Sequence, residues 1–137
     1  MLSTAPIIGF IPTRDADASR AFYEGTLGLT FIADDGFAIV FRSGSGPGAN
    51  MVRIARAGEF TPAPYTILGW EVADIVAEVT ALAAAGVAFA RYPFLPPDQV
   101  DELGIWNTPS GDKVAWFHDP DGNTLSLSQH KPHREGD

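Results

Sequence analysis

Residues 7–11 form a short apolar run that stops at Pro12, the pattern of a strand. Asp15 follows, a residue type that caps helix N-termini. Ala18, Ala21, Phe22 and Gly25 then recur at helical spacing. Leu27-Gly28-Leu29 ends that helix, with Gly28 suited to a left-handed cap. Residues 31–33 read as a strand, Asp35-Gly36 as a hairpin turn and 37–42 as the return strand. Residues 43–49 are rich in Gly and Ser and read as a loop, and 51–55 make a fourth strand. The predicted order is β-α-β-β-β.

After a Pro-containing stretch at 58–64 the pattern begins again. Residues 66–72 read as a strand. Asp74 precedes a helix whose Ile75, Val79, Leu82 and Ala83 make an apolar stripe. Ala85-Gly86-Val87 ends it, as Leu27-Gly28-Leu29 ended the first. Residues 87–92 read as a strand and 93–110 as a long loop holding Pro93, Pro96, Pro97 and Pro109. The last two strands, 113–118 and 124–128, flank Asp119-Pro120-Asp121-Gly122-Asn123. This is a tight turn: Pro120 presets φ, Asp121 suits the second central position, and Gly122 accepts φ > 0. From His130 onward the chain is polar and reads as frayed.

The halves superpose. Asp15 and Asp74 are 59 residues apart, and that offset lays Ile8-Gly9-Phe10-Ile11 over Ile67-Leu68-Gly69-Trp70. Gly28 matches Gly86 after one gap. A repeat of this period means two copies of one supersecondary unit. The expected fold is α+β, one domain over 1–137. It holds a first module at about 5–57, a linker at 58–64, a second module at about 65–130 and a frayed tail at 131–137.

Three marks carry a family resemblance. They are Asp15 with Ser19-Arg20-Ala21-Phe22-Tyr23 and Leu27-Gly28-Leu29; Val72-Ala73-Asp74-Ile75 with Ala85-Gly86-Val87; and Asp119-Pro120-Asp121-Gly122-Asn123. In this order they resemble the vicinal oxygen chelate superfamily, also called the glyoxalase/bleomycin-resistance/dioxygenase family, over nearly the whole chain. The resemblance implies two βαβββ modules, a curved mixed sheet around a cleft with helices outside, and commonly a homodimer. It does not settle function, because the fold hosts many chemistries.

Metal-dependent members place His or Gln on the first strand of each module and Glu on the last. Those positions fall here on Ile8, Arg53 (within a residue or two), Ile67 and Ser126. Two are aliphatic, one is cationic and one is a neutral hydroxyl, whereas a divalent ion wants at least three converging N or O ligands. The expectation is no metal and no other cofactor. Glyoxalase-type isomerisation and ring-cleaving dioxygenase chemistry, both metal-dependent in this family, are disfavoured. His130 and His133 lie in the polar tail and read as accidental neighbours, apart from His118.

Strand alternation fills the expected cleft. Phe10 shares a face with Ile8, and Gly69 and Glu71 with Ile67. Met51 and Ala55 flank Arg53 on its face. Thr124 and Ser128 join Ser126, and Trp116 and His118 share one face of their strand. The candidate ligand-binding residues are therefore Phe10, Arg53, Glu71, Trp116, His118 and Ser126. Trp116 and Phe10 suit stacking on a planar ligand. Arg53 needs a partner, either Glu71 or an anionic group on the ligand. Trp106 sits in the Pro-rich loop as a loop anchor or a cover for the cleft mouth.

Charge and composition narrow the partners. Nine basic against seventeen acidic residues give −8, which argues against nucleic acid and anionic membranes and favours cationic ligands. No cysteine is present, so disulfides, thiolate nucleophiles and thiolate metal sites are excluded. No apolar stretch approaches the about 20 residues of a membrane span. The first residues show no signal-peptide pattern, and the expected location is cytoplasmic. Three functions stand open. The first is a metal-free binder of a small organic molecule. The second is an enzyme of the family (lyase, isomerase or dioxygenase) with an atypical site, using Glu71 and His118 as acid/base groups. The third is a structural or regulatory domain whose cleft is filled by its own side chains.

Overall fold

The computed structural model describes residues 1–132. The chain divides into two compact units. The first is Met1–Ala63 together with Asp119–Asn123; the second is Pro64–His118 and the residues from Thr124 onward. Each unit carries the expected β-α-β-β-β order and a four-stranded mixed sheet, so the α+β fold of two βαβββ modules is the one observed.

In the first unit β1 (Ile8–Thr13) leads into α1 (Ala16–Arg20), which runs on as a π-helical turn, Ala21–Thr26. Asp15 caps α1, its carboxylate accepting the Ala18 N–H at 3.1 Å. Gly28, at φ 77°, takes the left-handed conformation that ends the helix. Then come β2 (Thr30–Asp34), β3 (Ala38–Ser43) and β4 (Asn50–Arg56). The sheet order is β1-β4-β3-β2, with β1 and β4 parallel. One face buries Ile11, Ile39, Phe41, Val52 and Ile54 with Tyr23 of the helical turn. The opposite face leaves Ile8 and Phe10 exposed, at 48% and 65%.

The second unit repeats this with β5 (Thr66–Glu71), α2 (Ile75–Ala84), β6 (Trp106–Asn107), β7 (Lys113–His118) and β8 (Thr124–Gln129). Its order is β5-β8-β7-β6, with β5 and β8 parallel. Asp74 caps α2 through the Ala77 N–H, and α2 buries Ile75 and Val79 toward β7 and β8. No helix among the described residues is long and apolar enough to cross a membrane.

Two expectations are corrected here. Residues 87–92 are not a strand; only Ala90 bridges β7, opposite Trp116. The edge place belongs to β6, inside the stretch expected to be loop. Asp101 makes this happen by accepting the Leu103 and Ile105 N–H groups, a side-chain turn that delivers Trp106 and Asn107 to β7. The start of the tail is also held: the His130 N–H donates to Glu71 at 2.7 Å and the Lys131 N–H to Asp112 at 2.8 Å. His133 lies outside the described residues.

The turn Asp119–Asn123 joins two strands of the second unit yet belongs to the first. Gly122 has φ 86°, as the turn requires. The Asp119 carboxylate accepts four donors: the Tyr23 hydroxyl at 2.7 Å, the Asp121 and Asn123 N–H groups, and the Asn123 amide. Asn123 also donates to the Pro12 carbonyl at 2.9 Å. Asp121 accepts the Thr13 hydroxyl at 2.6 Å, the Ser19 hydroxyl at 3.2 Å and the Arg14 N–H at 2.9 Å, and it faces the Arg14 guanidinium. Burial alone would raise the Asp121 carboxyl, but these hydrogen bonds outweigh it and the net direction is down. Burial, and then the Asp119 charge, push the Tyr23 phenol far above its ordinary value. Among the described residues no buried side-chain polar atom lacks a partner, so the cluster is a satisfied clamp between turn and helix.

Candidate binding pocket

β7 alternates Trp116 and His118 on one face with Ala115 and Phe117, both fully buried, on the other. That alternation turns the Trp116 indole away from α2. The ring is fixed on three sides. It stacks beside Trp106, with centroids 6.1 Å apart and planes at 23°, and meets Tyr92 edge to face at 5.4 Å and 82°. Its Nε1–H donates to the Thr66 hydroxyl at 3.1 Å. Trp106 is itself anchored by its Nε1–H on the Gln99 side chain at 3.0 Å, which makes it a support for Trp116.

A cavity of about 240 Å³ opens against this ring within the second unit. Tyr65, Tyr92, Phe94 and Trp116 give it aromatic walls, and Thr66 and Thr124 supply hydroxyls. Tyr92 stacks on Phe94 at 5.3 Å. Phe94 and Tyr65 are 77% and 67% exposed, a large aromatic surface left to solvent at the rim. Among the described residues no charged side chain lines the cavity. The arrangement suits an apolar or planar body held by ring faces, with hydroxyls to fix its orientation.

The six expected site residues fall into separate groups. Trp116 lines the cavity. Ser126 stands opposite both Trp116 and Gly69 in the sheet and is buried. A Cβ at position 69 would lie 2.5 Å from the Ser126 hydroxyl, so a glycine is what lets that hydroxyl face β5. His118 is exposed, on the Trp116 face and opposite Thr124. Glu71, at the end of β5, binds the His130 N–H and imidazole. The His130 N–H is the main cause lowering the Glu71 carboxyl, and the Glu71 carboxylate raises the imidazole. In the first unit, Phe10 and Arg53 are register partners on the open face. Arg53 reaches Asp35 at 2.7 Å. Arg53 and Glu71 each have a partner in their own unit, one from the β2–β3 hairpin and one from the residue after β8.

Sequence reasoning misses Tyr65, Thr66, Tyr92 and Phe94, whereas Thr124 is already on the cleft face with Ser126. Tyr92 and Phe94 flank Pro93, and reading 87–92 as a strand hid them as a loop pair. Tyr65 falls between the linker at 58–64 and the strand read from 66, so no element reading gives its side chain a face.

The positions where metal-dependent relatives carry ligands do not fit a metal ion. Ile8 and Ile67 offer no donor atom, and Arg53 brings a cation already engaged by Asp35. That leaves the Ser126 hydroxyl. Among the described residues no group of three or more His, Asp or Glu side chains is placed to hold one elsewhere.

The model of the Glyoxalase/Bleomycin resistance protein/Dioxygenase superfamily matches residues 5–127. The chain belongs to this superfamily. Solved structures share its fold. A bleomycin resistance determinant encoded on the transposon Tn5 superposes with a TM-score of 0.70 at 20% identity, covering 94% of this chain and all of that one (100%). TnmS3, an antibiotic binding protein from Streptomyces sp. CB03234, gives 0.67 at 23% identity, covering 96% of this chain and 99% of that one. A superfamily member from Sphaerobacter thermophilus gives 0.67 at 19%, covering 91% and 96%. A search of curated proteins returns no match. At these identities the likeness speaks for the fold alone.

Proposed function

We propose that this superfamily member is a metal-independent binder of a small organic molecule, held in the aromatic pocket of its second unit. The observation that carries the reading is Trp116, an indole propped by Trp106, Tyr92 and Thr66 so that it borders a cavity instead of filling one. The donor-poor set Ile8, Arg53, Ile67 and Ser126 supports metal independence. The antibiotic binding named for one structural neighbour is consistent with the reading. The net charge of −8 favours a cationic or neutral ligand over an anionic one at this pocket. A homodimer in the cytoplasm is part of the same proposal, and sedimentation of the purified protein tests its stoichiometry.

Elemental analysis of purified protein comes first. Metal far below one atom per chain, unchanged after incubation with zinc, nickel, manganese or iron, is the expected result; near-stoichiometric metal overturns metal independence. A thermal-shift screen of aromatic and cationic small molecules follows. A ligand at a hundred times its Kd stabilises the native state by about 2.7 kcal/mol. Trp116→Ala should remove that shift while the unliganded protein stays folded. A hit whose shift survives Trp116→Ala places binding outside this pocket.

A further inference from the structure

We infer that Arg91 is a positioning residue for the pocket around Trp116: its guanidinium latches the neck of the loop that carries two of the pocket's aromatic walls. The inference rests on the reading of that pocket as the binding site. Residues 91–101 leave the edge of the second sheet and return to it. They start where the Ala90 N–H donates to the Trp116 carbonyl at 2.8 Å, and they end where Val100 bridges Trp106. Across this neck Nη2 of Arg91 donates to the Asp101 carbonyl at 3.0 Å and to the Glu102 carbonyl at 2.9 Å. A charged donor makes these bonds stronger than neutral ones, and the planar guanidinium fixes their direction.

A surface loop whose ends meet is ordinarily packed by its own side chains. This one instead borders a cavity of about 340 Å³, lined by Tyr92, Leu95, Pro97 and Val100 among others. Tyr92 lines both this cavity and the pocket, so open space, not core, adjoins the ring that meets Trp116. Pro93, Pro96 and Pro97 preset φ along the loop. Two internal turns stiffen it further, from the Leu95 N–H to the Tyr92 carbonyl and from the Gln99 N–H to the Pro96 carbonyl. The loop therefore moves as a piece about its neck, and what holds the neck sets where Tyr92 and Phe94 stand. Gln99, near its far end, carries the same constraint to Trp106. Arg91 does not itself line the pocket, so its effect runs through the loop.

The test compares Arg91→Met, which keeps an apolar stem and removes the donors, with Arg91→Lys and Glu102→Ala. Arg91 is exposed, and Arg91→Gln replaces Arg91→Met if the latter fails to fold. In the ligand-free protein, Arg91→Met should weaken the NOEs between the Tyr92 and Trp116 rings and move the Trp116 indole N–H signal, leaving that of Trp70 in place. Arg91→Lys, with an ammonium to offer both carbonyls, should restore most of the NOE intensity. Glu102→Ala keeps the Glu102 carbonyl and should change neither. Proflavine, a planar aromatic cation, reads the consequence for binding. A loop held in the competent arrangement about a tenth of the time lowers its affinity about tenfold in Arg91→Met. Arg91→Lys should recover most of that, and Trp116→Ala should abolish binding. Unchanged NOEs in Arg91→Met overturn the inference, as does a Trp116-dependent proflavine affinity that Arg91→Met leaves alone. So does an equal loss in Glu102→Ala, which would assign the neck to a pair of charged side chains. Proflavine binding that survives Trp116→Ala, or no binding at all, counts against the pocket as its site, and the NOEs alone then support or overturn the place given to Arg91.

Discussion

The two units share a strand order and a capped helix, yet they hold the strand-to-helix junction by opposite means. In the first, Thr13, Ser19 and Tyr23 meet Asp119 and Asp121 in a buried polar clamp. At the same offset of 59 the second has Val72, Glu78 and Leu82, which cannot receive such a turn. Besides the Val72 N–H to the Ser128 carbonyl and the Asp74 cap, its junction is tied to the last strand by the Ile75 N–H to the Gln129 side chain at 2.8 Å and by the apolar burial of Ile75 and Val79. The loops before the last strands differ in the matching way. Arg53 faces Phe10 as Ser126 faces Gly69, which aligns Gly46-Pro47-Gly48-Ala49-Asn50 with Asp119-Pro120-Asp121-Gly122-Asn123. The proline and asparagine persist, but glycines stand where the two carboxylates would be. One repeated backbone accepts either a polar or an apolar lock, provided the turn and the helix that receives it change together.

The largest test of that contrast is to remove each lock. Asp121→Ala removes the shared acceptor of the Thr13 and Ser19 hydroxyls, which keep each other and the Asp15 carbonyl, and leaves the Arg14 N–H and guanidinium without their carboxylate. It should cost about 3 kcal/mol in urea unfolding. Gln129→Ala leaves one part-buried N–H without its partner and should cost about 1 kcal/mol. Equal losses would mean that the clamp is no stronger than the single bond. Tyr23→Phe, which deletes one donor to Asp119 and keeps the ring, should fall between them at about 1–2 kcal/mol.

The same asymmetry has a pH signature. The Asp121 carboxyl is lowered in the folded state, so its contribution is fully present above its unfolded value of about 3.9 and is lost as pH falls through the lower folded value. Acid unfolding of the wild type should therefore steepen below about pH 4, and Asp121→Asn should flatten that part of the curve. An unchanged slope in the variant would assign the acid sensitivity to other carboxylates. Asp34, held at about 2 by the hydrogen bond from Arg56, is exposed and should add little.

Within the second unit, Gly69 and Ser126 offer a finer probe. A Cβ at position 69 meets the Ser126 hydroxyl at 2.5 Å, so Gly69→Ala should destabilise by about 1–2 kcal/mol. Ser126→Ala should recover most of it in the double variant. The equivalent pair in the first unit is Phe10 and Arg53, where a side chain is already accommodated, so the constraint is local to the second sheet.

Local chemistry made much of this legible. Asp15 and Asp74 announced both helices because an N-cap acts within three residues of itself. Asp119 to Asn123 announced a turn for the same reason. What escaped was whatever a distant strand supplied. The clamp partners of Asp121 lie at the far end of the chain from it, and turn chemistry does not name them. Strand alternation puts Arg53 on the right face but not beside Asp35, because the partner comes from the turn of the neighbouring hairpin, outside any strand. β6 is only two residues long, too short for a period of two to show. The polar composition of the tail suggested fraying, and the parallel run of β8 along β5 is what brings His130 to Glu71.

That last contact gives the smallest expected effect, and it separates an ordering interaction from a stabilising one. The Glu71 carboxyl is lowered, chiefly by the His130 N–H, and the imidazole is raised by its bond to Glu71. The ion pair is therefore complete from the lowered Glu71 value up to the raised His130 value, and it is lost as pH rises through the latter. An NMR titration should place His130 above its ordinary value of about 6.5, and Glu71→Gln should return it there. Both side chains are about half exposed, so Tm should hardly change in Glu71→Gln. The amide exchange of His130 and Lys131 should nevertheless quicken, because the backbone bond to Glu71 weakens along with the pair. A large fall in Tm would show that the second unit, like the first, depends on a polar lock, and the contrast between them would then rest on the clamp's burial alone.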